Sequence, residues 1–319
     1  MKRQVKIKNL LNFYRMSVSA PPVSIAMATY NGEKYIAEQL ESIVNQTYGN
    51  IEIVITDDHS ADNTVSIVRK FQEKHSWIKL IVKDSNSGVS RTFEQAIRNC
   101  NGEYIAMSDQ DDIWELNKIE ILLSELKDED AVYSNSLLVD GKGKSLNKEF
   151  KSLMNLQSYY SGVPFLLGNT LPGHSILMKA NFAKRILPFP EKIMFDRWIV
   201  FCAAANNGIK YVDLPLVKYR QHDANTFGTT MSTSRIEKLS SEQLFQKKLN
   251  ELNAMATAPV KDEETKSILK EMLSYFKRKW SLRRSIFFFR NYKKMLVVKN
   301  KPLYRKLLYC LKMFFKPNY

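Results

Sequence analysis

Residues 103–112 read EYIAMSDQDD, a short apolar run that stops on a cluster of acids. Working outward, three earlier stretches have the same form. VSIAMAT (23–29) ends at Tyr30-Asn31-Gly32, IEIVITDD (51–58) ends on two acids, and KLIVKD (79–84) precedes a Ser-Asn-Ser-Gly turn. Segments of helical length separate them: about 35–45, then from a cap at Asp62 or Asn63 to about 74, then about 90–99. Apolar runs alternating with helices predict an α/β fold, a mostly parallel sheet with right-handed crossovers and helices on both faces. Such sheets bind ligands at the carboxyl ends of their strands. Those ends carry Thr29-Tyr30-Asn31, Asp57-Asp58 and Asp109-Gln110-Asp111.

The second half is less regular. AVYSNSLLV (131–139) predicts a strand ending at the turn Asp140-Gly141-Lys142-Gly143. Residues 151–174 are loop-rich, 175–186 are mixed, 196–207 read as a helix, and 209–222 read as a strand pair broken by Pro215. Residues 229–250 are polar and read as a linker that begins a helical tail.

Charge is segregated. Residues 1–20 hold five basic groups and residues 277–319 hold fourteen, and neither segment has an acid. The other 29 basic residues face all 33 acids, so residues 21–276 stand at −4. A mildly acidic body with two basic ends predicts contact with an anionic surface. In the C-terminal segment Trp280, Phe287-Phe288-Phe289, Tyr292 and Phe314-Phe315 lie among the basic residues, and Leu303, Leu307 and Leu311 form one helical stripe. This combination predicts an interfacial membrane helix, with an RNA-binding arm or one face of a packed helical pair as alternatives. Three cysteines without C-x-x-C spacing argue against a disulfide framework or zinc site and for a reducing compartment. There is no apolar leader with a cleavage site and no stretch of ~18 uncharged residues, so a cytoplasmic protein peripheral to the membrane's inner face is expected.

The acids carry the chemistry. Asp109 and Asp111 are hard oxygen ligands suited to Mg²⁺ or Mn²⁺, which would clamp a diphosphate leaving group. Asp112-Ile113-Trp114-Glu115 has capping-box spacing, so Asp112 is expected as a helix N-cap. Asp57 and Asp58 could accept hydrogen bonds from a base or ribose, or cap the following helix. Tyr30 could stack on a base or serve as a wall. Trp114 and Trp198 could be core residues or sugar platforms.

MATYNGEKYIAEQLESIVNQTY (27–48), IEIVITDDHSADNT (51–64), NSGVSRTFEQAI (86–97) and GEYIAMSDQDDIW (102–114) resemble, in order and spacing, the family 2 glycosyltransferases of the Rossmann-like GT-A fold. SDQDDIW is closest to the bacterial rhamnosyltransferase-like subgroup. The resemblance implies an inverting, metal-dependent transferase using a nucleotide-sugar, with dTDP-rhamnose or a UDP-hexose as donor and a saccharide or lipid-linked acceptor. It implies donor-binding roles for Thr29, Tyr30, Asn31, Glu33, Asp57, Arg91, Asp109 and Gln110. It places the metal on Asp109 and Asp111, Asp111 being the more direct ligand, with the late His222 joining metal or diphosphate. The general base is implied at Asp196, where Phe195 replaces the first acid of the usual pair. His59 stands where the family usually shows glycine. Gly168-Asn169-Thr170 and Gly173-His174-Ser175 fall in the acceptor-side loop. The implied organisation is a basic extension (1–20), a catalytic domain (21–228; donor half about 21–125, acceptor half about 126–228) and a basic helical region (229–319). A lipid-linked acceptor favours an anionic membrane, not nucleic acid, as the tail's partner. The alternatives are a sugar nucleotidyltransferase, which would need a Gly-rich, Arg-containing loop after the first strand, and a non-catalytic binding module, against which Asp109, Asp111 and Asp196 argue.

Overall fold

The computed structural model describes residues 20–168, 170–222, 240–276 and 281–314. Strands β1 (Val23–Thr29), β2 (Ile51–Asp57), β3 (Ile78–Val82) and β4 (Tyr104–Ser108) alternate with helices α1 (Ile36–Val44), α2 (Thr64–Lys74) and α3 (Val89–Arg98), as the sequence predicts. After β5 (Ile113–Trp114) come α4 (Lys118–Glu125), β6 (Ala131–Val139), β7 (Ser145–Glu149), β8 (Ile176–Lys179), α5 (Ala180–Arg185), α6 (Phe195–Ala204) and β9 (Ile209–Arg220).

One nine-stranded sheet runs β3-β2-β1-β4-β8-β6-β9-β5, with β7 beside β6. The pairs among β1, β2, β3 and β4 are all parallel. Among the remaining pairs only β6 and β9 run in parallel; β8 is antiparallel to β4 and β6, as are β5 to β9 and β7 to β6. The chain moves outward from β1 to β3 and then returns to β4 on the other side of β1. The gap between the carboxyl ends of β1 and β4 is therefore the switch point where a ligand site forms.

Strand alternation builds two cores. Ile25, Met27, Ile53, Ile55, Ala106, Val132 and Leu177 face α1, α2 and α4. Their neighbours Ala26, Val54, Ile105, Met107, Tyr133, Ile176 and Met178 face α3, α5 and α6. Burial on both faces is why these strands read as unbroken apolar runs.

Four further helices close the second face: α7 (Ser241–Ala256), α8 (Glu263–Phe276), α9 (Leu282–Met295) and α10 (Leu303–Lys312). Leu252, Met255, Met272, Phe276, Phe287, Phe288, Met295, Cys310 and Met313 join the same core as Tyr159, Phe165 and Leu166. A Ser240–Gln243 capping box starts α7, so the helical tail begins inside the polar stretch expected as linker. The α7–α6 contact contains buried charge: Arg197 Nη1 lies 2.6 Å and Lys248 Nζ 3.4 Å from Glu251 Oε2. Removing this carboxylate leaves the buried Arg197 guanidinium without its charge partner. Glu251→Ala is expected to cost about 3–5 kcal/mol of stability. Denaturant unfolding checks this, and an unchanged midpoint would refute it.

Several expectations are corrected. Asp112 is not an N-cap: residues 113–114 extend to pair with β9, and α4 starts at Lys118 with Asn117 as its cap. The predicted pair over 209–222 is one strand, β9, with an irregular register at Pro215. Trp114 and Trp198 are core residues, not platforms; Trp198 donates to the Ile186 carbonyl. Among the described residues no helix is long and apolar enough to cross a membrane. The extension at 1–19, Asn169, residues 223–239, Trp280 and Phe315 lie outside the described residues.

Candidate active site

The loops after β1 and β2 are tied together. Asp57 is buried and accepts from the Thr29 and Ser60 hydroxyls (2.8 and 2.6 Å) and from the Ser60 N–H. Asn31 N–H donates to Ser60 Oγ, and Asn31 Oδ1 accepts from the Ala61 N–H. Glu33 Oε2 accepts from Asn63 backbone and side chain. Thr29, Asn31, Glu33 and Asp57 thus tie the ends of β1 and β2 and the loops after them into one rim, and Tyr30 stands out from it, 48% exposed. His59 takes the left-handed conformation (φ 67°) that glycine would supply, its Nδ1 lying 3.2 Å from the Lys83 carbonyl. Asp58 is also committed, to Lys83 Nζ (2.6 Å) and the Ser87 and Gly88 N–H groups, which hold its carboxyl below the ordinary range against the opposing effect of burial.

The acid loop spans the switch point. Gln110 grips Tyr30 from both sides: Oε1 accepts the Tyr30 N–H (2.9 Å) and Nε2 donates to its carbonyl (3.1 Å). A Cβ at Gly32 would lie 2.3 Å from Gln110 Oε1, so glycine keeps this seat open. Asp111 Oδ2 lies 2.9 Å from His222 Nε2, bringing together two residues 111 positions apart. Buried Arg220 sets this pair: its Nε donates to the Asp111 carbonyl (2.8 Å), its N–H to Asp112 Oδ1 (3.0 Å), and its guanidinium stacks over Tyr35. Tyr35 in turn packs on the His222 ring (4.8 Å).

Burial pushes the Asp109 carboxyl up to about 7, reinforced by the charges of Asp111 and Asp196 and opposed by Lys118. Asp196, half-buried at the start of α6, is pushed up to about 6, again by burial, with hydrogen bonds from the Arg197 N–H and Thr170 opposing. Gly173 admits it, since a Cβ there would stand 3.1 Å from Asp196 Cβ. Two neighbouring carboxylates thus act on Asp109, and both disfavour its anionic form.

A second polar layer lies deeper. Asp109, Asp112 and His174 have ligand atoms within 4.8 Å of one another. Lys118 is fully buried there and donates to the His174 carbonyl (2.8 Å); burial pushes its ammonium well below the ordinary lysine range, against the charges of Asp112 and Asp109. Burial, reinforced by the charges of Asp111 and Asp109, holds the Asp112 carboxyl well above its ordinary range, with the Arg220 N–H and Lys118 opposing. Burial and then Lys118 hold His174 down at about 3, so it is a neutral partner to Ser136 Oγ at 2.8 Å. Both this deeper cluster and the Asp111–His222 pair offer the carboxylate and imidazole ligand types that suit a divalent cation.

Arg91 is directed elsewhere. It pairs with Glu94 (2.9 Å) and Glu191 (3.3 Å) and lines a cavity of about 430 Å³ with Arg185, Pro188 and Trp198, which no acid-loop residue lines. Sequence reasoning missed Arg220 and Lys118. Arg220 stands two residues before His222 and was findable from that proximity; a lysine on a short helix carries no sign that its ammonium will be buried.

Residues 24–186 match the family model described as Glycosyl transferase family 2. The dTDP-rhamnosyl transferase RfbG of Shigella flexneri is 32% identical over 222 residues, covering 65% of this chain and 75% of that protein. An uncharacterized glycosyltransferase of Nostoc is 23% identical over 273 residues, 82% of this chain and 85% of that one. Among solved structures, Staphylococcus aureus TarS 1–349 in complex with UDP-GlcNAc superposes with a TM-score of 0.59 at 19% identity, covering 92% of this chain and 80% of that one, a likeness of fold. With the parallel strands β1 to β4, the acid loop and the matched profile in agreement, this chain belongs to the family 2 glycosyltransferases.

Proposed function

We propose that the protein transfers a sugar, with inversion, from a nucleotide-sugar to a hydroxyl of a saccharide or lipid-linked acceptor in bacterial surface polysaccharide synthesis, working at the inner face of the membrane. The carrying observation is the meeting of Asp111 with His222 at 2.9 Å beside Asp109, within electrostatic reach of Asp196. The donor half (21–125) holds the nucleotide-sugar against Tyr30 and the acid loop, and the acceptor half (126–228) presents the hydroxyl. dTDP-rhamnose is the first donor to test, given the Shigella relative's name, and UDP-hexoses follow.

Asp196 takes the proton from the acceptor hydroxyl. That oxygen attacks the anomeric carbon, the bond to the diphosphate breaks on the opposite face, and the nucleoside diphosphate leaves. A Mn²⁺ or Mg²⁺ held by Asp111 and His222, with Asp109 beside them, would supply positive charge to the leaving diphosphate. Gln110 keeps the acid loop in register with Tyr30, and Arg220 keeps Asp111 beside His222.

The test is a nucleotide-sugar panel with the whole chain, read by thermal shift and by release of nucleoside diphosphate. A productive donor should raise the melting point and be turned over with Mn²⁺, and EDTA should stop turnover. Turnover indifferent to EDTA would refute metal dependence, and a product of retained anomeric configuration would refute inversion.

A further inference from the structure

Two helices at the end of the described chain have an unusual outer surface. Six of the thirteen large hydrophobic residues exposed among the described residues fall on α9 and α10: Leu282 (63%), Ile286 (41%), Leu303 (58%), Tyr304 (64%), Leu308 (47%) and Leu311 (54%). The other seven are spread between Tyr30 and Leu214. On α10 the exposed positions recur at i, i+1, i+5 and i+8, with half-buried Leu307 between them, which is one helical face.

The inner faces are already satisfied. Phe287, Phe288, Met295, Cys310 and Met313 are buried in the core. Ser285 Oγ donates to the Cys310 carbonyl (2.9 Å), and Phe288 packs on Tyr309. The first turns of α9 therefore lie beside the last turn of α10, bringing Leu282 and Ile286 towards the end that exposes Leu308 and Leu311. Packing against the body thus accounts for one side of the pair and leaves the leucines of the other in water. An apolar cluster rimmed by polar residues marks a contact surface.

Charge selects the occupant. Arg283, Arg290, Lys293, Lys301, Arg305 and Lys312 are exposed on or beside these helices, and residues 277–319 contain no acid. A second copy docking through the same face would bring like charges together. An RNA would be met by the cations but would leave the leucines without a use. An anionic bilayer answers both, taking leucine side chains among its headgroups and basic side chains over its phosphates.

We propose that the outer face of α9 and α10 is a docking surface for anionic lipid, lying in the plane of the interface. This deepens the membrane-side location proposed above, and rests on that reading only for its biological setting. The whole chain is tested by co-sedimentation with vesicles of phosphatidylcholine alone or with about a third phosphatidylserine, at low and high salt. Strong binding to the anionic vesicles only, weakened at least tenfold by high salt, is expected. The double variants L308E/L311E and K301E/R305E should each weaken binding at least tenfold while keeping the wild-type melting point and donor hydrolysis, since all four side chains are exposed. Equal binding of wild type and both variants overturns the proposal, as does equal binding to neutral vesicles, or a self-association that L308E/L311E abolishes without any lipid binding. Donor hydrolysis by the wild-type chain separates the two readings: no docking to anionic vesicles with intact hydrolysis sinks this surface alone, and docking without turnover of any donor sinks the transferase chemistry alone.

Discussion

Asp111→Ala is expected to reduce transfer by at least ~10²–10³-fold, the scale seen when one group stabilising transition-state charge is removed. The fold should survive. The Asp111 side chain is partly exposed and bonds to His222, whereas the anchoring bond to Arg220 uses the backbone carbonyl, which alanine retains. The charge balance sharpens the expectation. Asp111 is one of the groups that push the Asp109 carboxyl up, so its loss relieves repulsion in the metal-free protein. The metal-free variant should therefore melt no lower than wild type, while the Mn²⁺-dependent rise in melting point should vanish. Near wild-type turnover would remove Asp111 from the metal site, and a large fall in the metal-free melting point would make it structural.

Asp196→Asn should slow transfer by roughly 10²–10⁴-fold with donor affinity unchanged. Asparagine preserves the shape beside Gly173 and can still accept from the Arg197 N–H, but it cannot take a proton. The pH dependence follows from the carboxyl's raised position, about 6. Below that pH Asp196 is protonated and cannot act as a base; above it the ionised form accumulates. The wild-type rate should rise about tenfold per pH unit on the acid side, then level off above the transition, and the variant should lose this limb. Transfer rates between pH 5 and 8, with donor affinity by thermal shift at each pH, decide it. A variant that fails to bind donor would assign Asp196 to the donor site instead.

How much of this was legible in the chain differs by layer. Strands β1, β2 and β4 were readable because burial on both faces demands unbroken apolar runs, and their ends were marked by polar residues. Asp109, Gln110 and Asp111 were legible as a group because they are adjacent in sequence. The tail's stripe at Leu303, Leu307 and Leu311 was legible from its spacing, and the structure places Leu303 and Leu311 outward. Asp112 shows where local reading stops: its spacing satisfied a capping rule, but pairing of residues 113–114 with β9 outweighed it and drew Asp112 into the interior.

By itself the sequence determined the alternation that makes an α/β sheet, the acids at its strand ends and the separation of charge between body and tail. Only the tertiary structure decided which distant groups share a dielectric environment. It set His222 against Asp111, buried Lys118 beside Asp109 and Asp112, turned Arg91 to Glu94 and Glu191, and divided the tail's hydrophobic residues between core and surface. The physical reason is range. Apolar periodicity and capping act over a few residues, so they are written in local order, whereas burial and Coulomb interaction depend on separation in space, which the chain acquires only once β4, β6 and β9 share a sheet.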